Sequence, residues 1–235
     1  FQTCPRHSQP SCPQHLPRRP PSHPCRRFHP SRDTGALRRR WGVGDAPLII
    51  TVARLVPHKG QDIGIQALSA LKRDFPDLRY ILVGEGHDEP RLRALAEAKG
   101  VSGSVGFVGP MRDDELPEAY ATSTVYLGAS RVDNEINVEG FGISFLEAGA
   151  CGVPSVAGDS GGVRSAVRDG ETGIVVPPTD PDAITGAIHS LLLNPERRRQ
   201  MGEAGVADGE VNADGGAETG QAGDEDAPPR GRPCP

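Results

Sequence analysis

The residues best suited to chemistry are concentrated in one stretch, Glu139-Gly140-Phe141-Gly142-Ile143-Ser144-Phe145-Leu146-Glu147-Ala148. Glu139 belongs to a loop and Glu147 falls about one turn into a helix. Between them, Gly140 and Gly142 expose backbone amides at a helix start, where phosphate or sugar oxygens are favoured. Carboxylates at the two edges accept hydrogen bonds from hydroxyls, which sugars and ribose carry in number. Paired acids also serve general acid–base catalysis. An acid at a helix entry can equally do no more than complement the helix dipole.

Other loops hold further candidates. Arg54-Leu55-Val56-Pro57-His58-Lys59-Gly60 places two cations five residues apart around a proline turn, just before a helix. A guanidinium fork and an ammonium beside a helix N-terminus suit a diphosphate; a solvated cationic loop is the plain alternative. Gly84-Glu85-Gly86 can let a ligand approach the backbone, or serve turn geometry only. Gly109-Pro110-Met111 presents a backbone edge that could pair with a base, or an ordinary turn. Asp159-Ser160-Gly161-Gly162-Val163 offers a second set of amides toward the same crevice, or a tight turn.

These loops need a scaffold, and the hydrophobic pattern supplies one. The continuous apolar run from Pro47 to Ala53 marks a strand buried on both faces. Further strands are expected at Leu78–Val83, Ser104–Val108, Thr124–Leu127, Pro154–Ala157 and Gly173–Val176. Helices are expected at 61–73, 91–99, 113–121, 143–150, 181–193 and 195–204. Gly100 should close the second, and Asp113 should cap the third. Alternating strands and helices predict an α/β, Rossmann-like doubly wound parallel sheet of about 160–170 residues. In such sheets ligands bind beyond the carboxyl ends of the strands, and every candidate loop follows a strand.

Composition divides the 235 residues into three parts: a 1–33 arm, a 34–205 domain and a 206–235 tail. The Pro/Arg-rich arm and the acidic tail cannot bury enough apolar surface to offset the entropy of ordering, so both are expected to be disordered. Residues 1–40 hold nine arginines and one aspartate. That basic arm is broken by prolines and lacks interleaved aromatics, so no nucleic-acid partner is expected. No Cys-x-x-Cys pair supports a zinc site, and Cys151 is expected to act as a small buried hydrophobe. No stretch reads as a membrane span or a signal peptide, which fits a cytoplasmic location. No Gly-x-Gly-x-x-Gly follows the first strand, which disfavours a dinucleotide dehydrogenase.

Taken in order, Arg54-x4-Lys59-Gly60, Gly84-Glu85-Gly86, Phe107-Val108-Gly109, Glu115-Leu116 with Tyr120-Ala121, Glu139-x7-Glu147-Ala148, Gly152-Val153-Pro154 and Gly161-Gly162 resemble the family-4 retaining glycosyltransferases of GT-B fold. The resemblance covers 28–205. It is nearest to bacterial mannosyltransferases that use GDP-mannose, including those acting on phosphatidylinositol mannosides. It implies one half of a two-domain enzyme, the half that binds a nucleotide sugar. By resemblance, Arg54 and Lys59 hold the donor diphosphate. Glu139 and the amides around Phe141, Gly142 and Ile143 hold the transferred sugar and its phosphate. Glu147 takes the ribose hydroxyls, Gly109 and its neighbours lie along the base, and Gly84, Gly161 and Gly162 line the donor crevice. Glu139 is then a sugar ligand rather than a nucleophile. No metal or cofactor is implied: cations and helix N-termini neutralise the leaving diphosphate.

The chain departs from that family in places. The acceptor half and the helix that crosses back to it have no counterpart here. Ser165 stands where an acid usually follows the glycine pair. Both tails resemble the ends of a truncated or frame-shifted gene. The expectation is a hexosyltransferase donor domain, inactive alone, acting in the cytoplasm or peripherally at the inner face of the membrane. The alternatives are a non-catalytic nucleotide-sugar-binding module and a nucleotide-sugar epimerase of the same fold. By the same resemblance, the acceptor would be a glycolipid.

Overall fold

The computed structural model describes residues 27–132 and 142–215. Six strands form one parallel sheet: β1 (Leu48–Val52), β2 (Arg79–Val83), β3 (Val105–Gly109), β4 (Val125–Gly128), β5 (Ser155–Gly158) and β6 (Gly173–Val176). Their order is β3-β2-β1-β4-β5-β6. The chain therefore winds outward from β1 in one direction and from β4 in the other. Helices α1 (Ala36–Trp41), α2 (Gln61–Leu71), α3 (Glu89–Ala98), α4 (Leu116–Ala121), α5 (Ile143–Ala150), α6 (Val163–Ala166), α7 (Pro181–Leu193) and α8 (Pro195–Gly215) complete the described fold.

The apolar run of β1 is continuous because both of its faces are buried. Ile49 joins a cluster with Leu68 of α2, Leu92 of α3 and Ile188 of α7. Its neighbours Leu48 and Ile50 point the other way, into a cluster with Leu37 of α1, Ala119 of α4 and Phe145 of α5. Two layers of helices thus cover the sheet, and every one of these side chains is 7% exposed or less.

Sequence expectation and structure differ in three places. Asp113 caps nothing: α4 starts at Leu116, with Pro117 in its first turn, and Glu115 is instead paired with Arg40 at 2.7 Å. The segment 27–33, assigned to the arm, is partly built into the domain. Phe28 is 4% exposed and meets Tyr120 edge-on at 5.9 Å, with the Arg27 guanidinium over its ring. At the other end, α8 continues past residue 205 to Gly215. Glycine is a weak helix former, yet Gly202 and Gly205 are where α8 crosses the α5 region at backbone distance. A Cβ at Gly202 would collide with Gly152 O, and one at Gly205 would press on Gly149 Cα at 2.9 Å. The Gly84-Glu85-Gly86 turn packs against the loop after β1. A side chain at Gly84 would strike Ala53 O, and one at Gly86 would strike Leu55 O. The turns after β1 and β2 are laced together there, Leu55 N donating to Glu85 O at 2.9 Å and Asp88 N to Leu55 O at 3.1 Å.

Candidate anion and nucleotide-sugar site

The strand order reverses between β1 and β4, and a cavity of about 270 Å³ opens at their carboxyl ends. That is where open α/β sheets bind ligands, since the loops from the two halves part there. Thr51 to Arg54 and Lys59 line it from the β1 side, Tyr126, Gly128 and Ser130 from the β4 side, and Ser144 and Phe145 from α5. Two cations and four hydroxyl-bearing residues face the space, and among the described residues no carboxylate lines it.

Two helices begin beside this cavity. Helix α2 starts after Gly60 (φ 72°) and α5 after Gly142 (φ 73°), both glycines in the left-handed conformation. Neither helix has a side-chain cap. Ile63 N and Phe145 N already donate to Gly60 O at 3.1 Å and Gly142 O at 2.9 Å; the N–H groups ahead of them in each first turn are the ones a helix start offers to an anion. The loop before α2 is held in place on the β4 side. Gly60 packs so tightly on Ala129 that a Cβ would overlap Ala129 O. Arg131 N donates to His58 O at 2.8 Å, and Gln61 Nε2 to Arg54 O at 2.9 Å. The Arg131 guanidinium grips the Asp62 carboxylate with both arms, at 2.9 and 3.0 Å. Arg54 and Lys59 are thus presented from a fixed frame.

The floor is aromatic and hydroxylated. Tyr126 donates to Ser144 Oγ at 2.8 Å and meets Phe145 edge-on at 5.2 Å. Thr51 Oγ1 donates to Leu127 O at 2.6 Å and shares a 2.8 Å hydrogen bond with Tyr80 OH, which ties β1 to both neighbours. Sequence reasoning misses Ser130, Ser144, Thr51 and Tyr126 as site residues. The available signal is positional: Thr51 and Tyr126 lie at or near the carboxyl ends of the strands that flank the reversal.

The other sequence candidates lie around this centre. Ile143 opens α5 and is 66% exposed. Gly84 N donates to Gly109 O at 2.8 Å, so those two turns are joined, and the Cβ direction of Gly109 (φ 72°) is open space. The Gly161-Gly162 turn is braced by Arg164, which grips Asp159 at 2.7 and 2.9 Å. Gly84, Gly109, Gly161 and Gly162 are not among the cavity lining. Glu139 and Phe141 lie outside the described residues.

Glu147 stands apart from the cavity, half-buried on the inner side of α5, where it accepts a 2.8 Å hydrogen bond from Tyr120 OH. Burial pushes its carboxyl above the ordinary range. The Tyr120 hydrogen bond and the Arg27 charge oppose that shift, and Asp113 adds to it. Between the ordinary and the raised value, the folded state binds more protons than the unfolded one. This carboxyl therefore lowers stability as pH rises through that window. Glu147→Gln keeps an acceptor for Tyr120 and removes the charge. It is expected to be more stable than the parent at pH 7, with the gap closing toward pH 4. Urea unfolding at both pH values checks this; a gap that widens on acidification would contradict it.

Cys151 is buried, as expected of a small hydrophobe. Burial pushes its thiol up to about 12, which leaves it inert. Among the described residues, no helix is long and apolar enough to cross a membrane.

Comparison with known proteins gives the family and the fold. Residues 33–208 match the family model described as glycosyl transferases group 1. The chain is 44% identical over 194 residues to a GDP-mannose-dependent alpha-(1-6)-phosphatidylinositol monomannoside mannosyltransferase of Mycolicibacterium smegmatis, covering 82% of this chain and 50% of that one. It is 38% identical to a D-inositol 3-phosphate glycosyltransferase of Acidothermus cellulolyticus over 77% of this chain and 41% of that one. Among solved structures, Anabaena HepE in complex with UDP superposes with a TM-score of 0.70 at 24% identity, over 81% of this chain and 54% of that one. The C-terminal domain of the glycosyl transferase group 1 protein LpcC of Francisella tularensis superposes with a TM-score of 0.67 at 22% identity, over 80% and 96%. These two likenesses speak for the fold. The chain spans about half the length of the curated relatives it matches.

Proposed function

The chain belongs to the glycosyl transferases group 1 family, and from that premise we propose that it is the donor-binding part of a retaining mannosyltransferase that takes GDP-mannose and serves a glycolipid acceptor of the phosphatidylinositol mannoside type. The observation that carries the donor reading is the convergence of Arg54, Lys59 and the N-termini of two helices on one cavity. A diphosphate fits that charge pattern, and a neutral metabolite gains nothing from it. The choice of GDP-mannose and of the acceptor class follows the names of the relatives at 39–44% identity.

In this reading, Arg54 and Lys59 hold the diphosphate and stabilise the charge that grows on it as the sugar departs. Ser130 and Ser144 supply hydroxyls at the cavity wall. Glu139, with the amides near Phe141, Gly142 and Ile143, takes the sugar. Glu147 takes the ribose, and Gly109 borders the base. Retention would follow from attack on the same face as the departing group. The electrostatic part of the work needs no bound metal. The cavity is smaller than the roughly 300–1,000 Å³ of pockets that enclose a whole ligand, so it would hold the diphosphate end only. Action in the cytoplasm, peripherally at the inner membrane face, belongs to the same proposal.

Thermal unfolding against a panel of nucleotide sugars tests this. GDP-mannose at about one hundred times its dissociation constant should add about 2.7 kcal/mol of stability. UDP- and ADP-sugars should add less at equal concentration. Equal stabilisation by all three would remove the GDP assignment, and stabilisation by none would remove the donor reading.

A further inference from the structure

Glu147 presents a problem of orientation. A glutamate side chain has three rotatable bonds, and a half-buried one on a helix gains no fixed direction from its backbone. In this structure one contact sets it: Tyr120 OH donates to Oε2 at 2.8 Å. No hydrogen bond from a described residue reaches Oε1, and that atom is not among the fully buried unpartnered oxygens. The phenol itself has little freedom. Tyr120 is 0% exposed, with Phe28 edge-on at 5.9 Å on one side and Tyr126 tilted at 5.7 Å on the other. Burial also keeps its hydroxyl protonated, hence a donor. A rigid, dry donor thus occupies one carboxylate oxygen and leaves the other open to a further donor.

We propose that Tyr120 is a positioning residue of the donor site, holding one oxygen of Glu147 so that the other accepts a hydroxyl of the nucleotide's ribose. The inference rests on the reading of Glu147 as the ribose carboxylate. It adds a residue of another helix, α4, that would not itself touch the ligand. The charges facing this group are Arg27, which favours the carboxylate, and Asp113, which disfavours it. Without the phenol, the side chain would be free to turn toward Arg27 and away from the ligand.

The test compares GDP with 2′,3′-dideoxy-GDP by calorimetry at neutral pH, using the 235-residue chain. The parent should prefer GDP by about tenfold or more, the scale of a hydrogen bond to a charged group. Glu147→Ala should bring that preference close to one. Tyr120→Phe should lower it by about fivefold, while the affinity for the dideoxy nucleotide stays within about twofold of the parent. A purely structural role would weaken both nucleotides alike and leave their ratio intact; that result, with Glu147→Ala still abolishing the preference, overturns the proposal alone. An undiminished preference in Glu147→Ala overturns the ribose reading and the proposal with it. Should Tyr120→Phe not fold, the phenol proton of the parent chain provides the same test by nuclear magnetic resonance. It should shift with GDP and not with the dideoxy nucleotide, and indifference to both overturns the proposal.

Discussion

Gly60→Ala is expected to cost about 2–5 kcal/mol of stability, from left-handed backbone strain plus overpacking. Gly60 sits at φ 72°, and its missing side chain is the space occupied by Ala129 O and C. A methyl group there must push the Lys59 loop away from the end of β4. The hydrogen bond from Arg131 N to His58 O, 2.8 Å in the parent, would be stretched. Donor affinity should therefore fall together with stability. Gly100→Ala is the internal control. Gly100 has a similar φ of 69° but nothing within 4 Å of its Cβ direction, so only the backbone strain of about 1–2 kcal/mol applies. Urea unfolding of the two variants separates strain from collision. Equal losses would mean that the close approach to Ala129 does not matter.

Replacing Lys59 or Arg54 by alanine should have a second large effect, on binding rather than folding. Each is expected to weaken GDP-mannose binding by about 1–3 kcal/mol, the worth of a charge-assisted hydrogen bond to a phosphate oxygen. Arg54 is exposed, so its side chain has little packing to forfeit, and Lys59 is half-buried. Guanosine, which lacks phosphates, provides the comparison. If the cations act on the diphosphate, the variants should bind guanosine as the parent does. A parallel loss of guanosine affinity would place the two cations elsewhere. Arg54→Lys should still weaken binding, because an ammonium cannot reproduce a planar two-armed grip.

Much of the scaffold was legible because local chemistry and tertiary demand agree there. β6 and α7 have the boundaries expected from sequence. Helix α7 starts sharply: Asp180 accepts from Asp182 N at 2.9 Å and Ala183 N at 3.1 Å, and Pro181 follows it at the first helical position. The start of α4 was not legible. Asp113, Asp114 and Glu115 are adjacent acids, and residues far away in the chain decide which acid does what. Glu115 answers to Arg40, and Glu118 accepts from the first amides of α1, Ala36 N at 3.0 Å and Leu37 N at 3.3 Å. The glycines divide in the same way. Gly60 and Gly142 are read correctly as helix starts. Gly84 and Gly86 could be read either as ligand glycines or as turn glycines, and they are points where two loops of the same chain touch.

What the sequence determined by itself is the alternation of strands and helices, the class of sheet, and the two loops that carry Arg54, Lys59 and the start of α5. Those depend on periodicity, glycine and proline positions, and charge next to a helix start, all properties of neighbouring residues. What only the tertiary structure decided is which of the loops share a cavity. The reversal between β1 and β4 brings residues 51–59 against 126–130 and 144–145. It also sets Glu147 on Tyr120, with Phe28 and Arg27 of the connecting segment behind it. Those contacts join residues far apart in the chain. They arise from burial of two opposite sheet faces, a condition that no single segment encodes.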